Sequence, residues 1–254
     1  MLEVEGLVKQ FEDRRAIDSL GFGLEGGQVL GLVGPNGAGK TTTLRCISGI
    51  LEPDAGRVVL DGVVAAEQPT ELRRRLALVP DEPHLFARLT VWEHLELVAR
   101  LYEVDAWRPR AEELLEALEL SERRDSMAGS LSRGMRQKVA VAGGLLHRPK
   151  LLLLDEPLVG LDPRGIRTLF DAIRSTADTG SAVIMSSHLL GQIEDHCTEF
   201  LILRAGCKLF HGSKSEIAAS LPTMRAEASL EEIFFGATES SESGQAARSD
   251  RTGE

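Results

Sequence analysis

Residues 34–42 read Gly34-Pro35-Asn36-Gly37-Ala38-Gly39-Lys40-Thr41-Thr42, and this stretch decides the fold. It fits G-x-x-x-x-G-K-[ST], a loop whose backbone N–H groups cradle nucleotide phosphates. Glycine there leaves no Cβ in the way of a phosphate oxygen. Lys40 is placed to reach the β- and γ-phosphates, and the Thr41 hydroxyl to ligate Mg²⁺. The flanks agree. Residues 28–33 (QVLGLV) form an apolar strand run, and 41–51 predict a helix whose N-terminus faces the anion.

A second element lies far downstream. Residues 151–156 read LLLLDE, a continuous apolar run of the kind buried on both faces of a parallel sheet. It ends in two adjacent carboxylates, at the strand end where open α/β sheets place ligands. Asp155 is expected to hold Mg²⁺, through a water, and Glu156 to polarise the water that attacks the γ-phosphate.

Composition narrows the class. The chain has 254 residues, with Asp and Glu outnumbering Lys and Arg by 39 to 29. A net charge of −10 argues against nucleic acid as a partner. The three cysteines, Cys46, Cys197 and Cys207, are scattered, with neither metal-ligand spacing nor a disulfide framework. That usage fits a reducing cytoplasm. The start, MLEVEGLVKQF, has no signal-peptide core. No run approaches the ~18 apolar residues that a membrane-spanning helix needs.

Other elements are expected as follows. Residues 2–8 and 19–24 alternate weakly and read as short strands of a β-rich start. Residues 57–60 form a strand closed by the Asp61-Gly62 turn, and 76–79 form another. Helical periodicity covers 91–101, 109–120 and 132–147, the last capped by Ser132. Helices at 164–179 and 189–196 frame a strand at 182–187, and a hairpin closes around Ala205-Gly206.

A third motif, Leu131-Ser132-Arg133-Gly134-Met135-Arg136-Gln137, precedes the acidic strand. Its capped helix N-terminus carries partial positive charge and can clasp a phosphate. With this Leu-Ser-x-Gly signature the chain resembles the ATP-binding subunits of ABC transporters, from about Leu2 to Phe235. The Arg133–Arg136 variant and the 230–234 ending (LEEIF) are most similar to the prokaryotic multidrug or ABC-2-type exporter branch.

The resemblance implies an α/β fold: a P-loop NTPase with a RecA-like core, a β-rich N-terminal subdomain and an inserted α-helical subdomain. The expected division is core at 1–84, helical signature subdomain at 85–148, core again at 149–235, and a polar, disordered tail at 236–254. It implies ATP with Mg²⁺, bound by residues 34–42 with Phe11 stacked on adenine. Ser132, Arg133 and Gly134 would contact ATP on a second copy of the chain or a related subunit. Asp162, in Gly160-Leu161-Asp162-Pro163, falls in the loop by which paired subunits sense each other. His188 resembles the switch histidine that contacts the γ-phosphate and completes the catalytic set with Glu156. Asp81 stands where the family usually has a glutamine, in the loop that couples the core to a separate membrane permease. Aspartate is a hard-cation ligand, so Asp81 joins Thr41 and Asp155 as a candidate for Mg²⁺. The implied location is cytoplasmic, peripheral on the membrane face.

Two rival readings have less support. Translation factors of the same ATPase class carry tandem cassettes and DNA-repair types a long coiled coil, whereas this chain has one cassette. A non-hydrolysing regulatory module would fit only the Asp81 departure.

Overall fold

The computed structural model describes residues 1–221 and 228–236. The chain opens with the antiparallel hairpin β1 (Leu2–Phe11) and β2 (Arg14–Leu24). Then come β3 (Val29–Val33), α1 (Lys40–Ile47), the β4 (Ala55–Leu60) and β5 (Val63–Val64) hairpin, α2 (Pro69–Arg75) and β6 (Leu76–Val79). Helices α3 (Val91–Leu101), α4 (Trp107–Ala117) and α5 (Arg133–Leu146) follow, before β7 (Leu151–Leu154) returns to the sheet. The last part runs α6 (Pro163–Asp178), β8 (Ala182–Ser187), α7 (Leu190–Ile193), β9 (Glu199–Arg204), β10 (Cys207–Gly212) and α8 (Lys214–Ser220). A further helix spans 230–236.

Two sheets organise these elements. One is antiparallel, in the order β2-β1-β4-β5. The other has the order β10-β9-β3-β8-β7-β6, parallel except for β10. The parallel strands are apolar on both faces because both are covered. In β3, Leu30 and Leu32 pack with the β-rich layer and α1, while Val29 and Val33 pack with the helices. In β7, Leu151 and Leu153 face one cluster, and Leu152 and Leu154 the other. Fully burying each such leucine contributes about 1.5–3 kcal/mol.

Strand order then fixes the site. β3, β8 and β7 are neighbours, so the segments leaving their carboxyl ends emerge side by side. Those segments begin with Gly34, His188 and Asp155.

Several elements differ from expectation. β1 and β2 are longer, because bulges between Val4 and Leu7 and between Leu7 and Lys9 break the period-two pattern that marks a strand. α2 was not expected, since Leu72 is its one buried residue and leaves no apolar stripe. α7 is a short helix of four residues. α8 was also missed, although Ser213 and Glu216 form a capping box legible as S-x-x-E. The polar tail falls, from residue 237, outside the described residues.

Candidate functional site

The phosphate loop joins β3 to α1. Gly39, the residue before α1, has φ +106°, and a Cβ there would stand 2.4 Å from the Ala16 carbonyl oxygen. Only glycine satisfies both the backbone angle and that contact. Lys40 is buried at 6% exposure and folds back over the loop, its Nζ donating to Gly34 O at 2.8 Å. The same nitrogen lies 3.5 Å from Glu156 Oε1.

The Asp155 carboxylate is held by hydroxyls, and one of them also holds the Glu156 backbone. Thr41 Oγ1 donates to Asp155 Oδ1 at 3.1 Å, and Ser186 Oγ donates to the same oxygen at 2.7 Å. Ser186 Oγ in turn accepts from the Glu156 N–H at 2.9 Å. Glu156 has φ +47°, a left-handed conformation that costs a non-glycine residue energy. Its Oε2 lies 2.8 Å from His188 Nδ1, and it also takes the His188 N–H at 3.3 Å. With a carboxylate as acceptor, Nδ1 must carry the proton.

In front of this array is a cavity of about 530 Å³. Phe11, Arg14, Ala16, Asn36 through Thr42, Asp81 and Glu156 line it. Phe11 is 47% exposed, and Lys9 Nζ lies 5.7 Å from its ring centroid. The structure thus brings Phe11, most of the loop, Thr41, Asp155, Glu156 and His188 into one place.

The signature residues lie elsewhere. Ser132 caps α5, its side chain accepting from Met135 N at 3.2 Å, and none of Ser132, Arg133 and Gly134 lines the cavity. Gly134 packs within its own chain, where a Cβ would stand 2.7 Å from Gly160 O. Asp162 caps α6, accepting from Gly165 N at 2.7 Å. Asp81 reaches the cavity, yet its carboxylate pairs with Arg133 at 2.9 Å rather than with Thr41 and Asp155.

Sequence reasoning missed Arg14 and Ser186. Arg14 reads as one charge in a polar turn, and Ser186 as the lead-in to His188. Burial pushes the thiols of Cys46 and Cys197 up to about 11 and about 12, which disfavours the nucleophilic thiolate.

The family model described as ABC transporter matches residues 17–159, more than half of the chain. The chain belongs to the ABC transporter family. The ABC-type transporter ATP-binding protein EcsA of Bacillus subtilis (strain 168) is 33% identical, over 94% of this chain and 96% of its own. Nod factor export ATP-binding protein I of Ralstonia nicotianae is 36% identical, over 85% of this chain and 68% of its own. A solved ATP-binding subunit of an ABC transporter superposes with a TM-score of 0.89 at 32% identity, covering 94% of this chain and 99% of that one. This ABC cassette is an ATP-binding, ATP-hydrolysing subunit with the P-loop NTPase fold. Among the described residues no helix is long and apolar enough to cross a membrane.

Proposed function

We propose that two such cassettes close head to tail around two ATP molecules and drive a separate membrane permease in the export direction. The observation that carries this is the hydrogen-bonded set Thr41–Asp155–Ser186–Glu156–His188 at the mouth of the phosphate loop. Beside that set, Lys40 leaves Gly34 O for the phosphates. Glu156 accepts a proton from the attacking water, and His188 holds Glu156 in line.

Mg²⁺ fits the donor set. Thr41 and Asp155 offer a hydroxyl and a carboxylate oxygen 3.1 Å apart, all hard donors. Among the described residues no cluster of three or more His, Cys, Asp and Glu could cage a metal. One or two side chains completed by substrate oxygens and water is the usual Mg²⁺ arrangement. The ion supplies charge neutralisation on the phosphates. Asp81, held by Arg133, is a weaker candidate ligand than Asp155.

Dimerisation explains why the signature stands outside the cavity. Ser132 and the α5 N-terminus then complete the site of the other copy, with Asp162 at the seam. Asp81 and the α3–α5 region face the permease, which places the cassette on the cytoplasmic surface of a membrane. Export follows the names of relatives such as the Nod factor and SkfA peptide export proteins.

The test is light scattering of Glu156→Gln with and without Mg-ATP. The variant is expected to bind ATP and double in mass, while hydrolysis falls about 10²–10⁴-fold. A monomer at saturating ATP overturns the head-to-tail reading, and native turnover removes Glu156 as the base.

A further inference from the structure

The cavity holds a cation that no motif assigns. Arg14 sits at the tip of the first hairpin, paired in register with Phe11. Its Nη2 donates to Gly37 O in the phosphate loop at 2.7 Å. A Cβ on Gly37 would stand 2.8 Å from that nitrogen, so the guanidinium packs directly on the loop backbone. It lines the same cavity as Phe11 at one end and Lys40 and Thr41 at the other.

The charges nearby give the contact a meaning. Lys40 is already engaged by Gly34 O and Glu156. Glu156, Asp155 and Asp81 add negative charge in front of a loop meant for a polyanion. Arg14 pairs with no carboxylate among the described residues. A guanidinium has five N–H donors in a fixed plane, and the bond to Gly37 O uses one of its two Nη2 protons.

Resting on the reading that ATP fills this cavity, we propose that Arg14 is a further nucleotide-binding residue. Anchored on Gly37 O, it turns its remaining donors onto the phosphate chain that runs from Phe11 to the loop. It thereby couples the base platform to the cradle, through a contact between hairpin tip and loop that is already made. Charge-assisted bonds of this kind are the strong ones.

Titration calorimetry of the full chain with ATP and with ADP, at low and high ionic strength, tests this. Arg14→Ala is expected to raise Kd for both nucleotides about tenfold at low salt. The gap should narrow at high salt, because ions screen an exposed charge contact. Arg14→Gln keeps a donor for Gly37 O but no charge, and should bind as poorly as the alanine variant. Unchanged affinity overturns the proposal. So does a loss of equal size at both salts, or full recovery with glutamine, since either means that Arg14 only braces the loop. Lys40→Ala run alongside separates the two claims. If it too binds like the native chain, the cavity is not the nucleotide site. If it loses binding while Arg14→Ala does not, only the Arg14 assignment falls.

Discussion

Glu156 is held from two sides: His188 Nδ1 lies 2.8 Å from Oε2, and Lys40 Nζ lies 3.5 Å from Oε1. The proposed base, so placed, keeps its carboxylate aimed while its backbone stays at φ +47°. His188 is half exposed, so removing its ring leaves the core intact. His188→Ala is therefore expected to lower kcat about 10²-fold, in the range for a lost acid–base partner, with ATP affinity within about twofold of native. Steady-state hydrolysis and equilibrium ATP binding check it. A parallel loss of affinity would mean that His188 holds the nucleotide rather than the base.

Ser186 ties Asp155, the proposed metal ligand, to Glu156, the proposed base. Its hydroxyl donates to Asp155 and accepts from the Glu156 N–H, and it is wholly buried. Ser186→Ala leaves that N–H without its partner, a cost of about 1–3 kcal/mol. For a chain of this length about 1 kcal/mol shifts Tm by about 2–4 °C. We expect a Tm lower by several degrees and a higher Mg²⁺ concentration for half-maximal hydrolysis. A metal titration of activity, with nucleotide binding measured in chelator, checks it. If the Mg²⁺ midpoint stays put, Ser186 is structural only.

What the sequence revealed and what it hid divide on physical grounds. The phosphate loop, the LLLL strand and the Ser132 cap are local signals: spacing, apolar runs and a capping residue declare themselves within a few positions. Gly34, Asp155 and His188 converge because β3, β8 and β7 are neighbours; apolar runs mark the strands, but their order in the sheet is not written in any of them. The pairs Arg14–Gly37, Ser186–Asp155 and Asp81–Arg133 were hidden because each joins residues far apart in the chain. Nothing in a single sequence sets their distance. α2 was hidden for another reason, since one buried leucine makes no period.

The Asp81–Arg133 pair joins the segment after β6 to the first residue of α5. Both side chains are about half exposed, so the pair contributes only about 0–1 kcal/mol to stability. Its consequence is electrostatic: a residue of the signature is neutralised within its own chain. Asp81→Asn should leave Tm within about 4 °C of native. It should also lower the ATP concentration at which Glu156→Gln dimerises, because Arg133 is freed for an incoming phosphate. Light scattering across an ATP titration of the double variant checks it. An unchanged or higher midpoint shows that the pair does not restrain closure.

Gly134 gives the last prediction. Its position within α5 is ordinary, but the Gly160 carbonyl occupies the space that a Cβ would take, at 2.7 Å. Gly134→Ala must therefore push the 160–162 loop away from the α5 N-terminus. Alanine favours helix by up to about 1 kcal/mol over glycine, which offsets part of the strain. The net change in stability is then expected to be small, below about 2 kcal/mol. Function should suffer more, because the displaced loop carries Asp162 and lies against the helix end proposed to clasp phosphate. Hydrolysis should fall at least tenfold, with ATP binding to the isolated cassette intact. Crystallography of the variant, or hydrogen exchange over residues 158–165, shows whether the loop has moved. Native turnover with a displaced loop would separate this contact from catalysis.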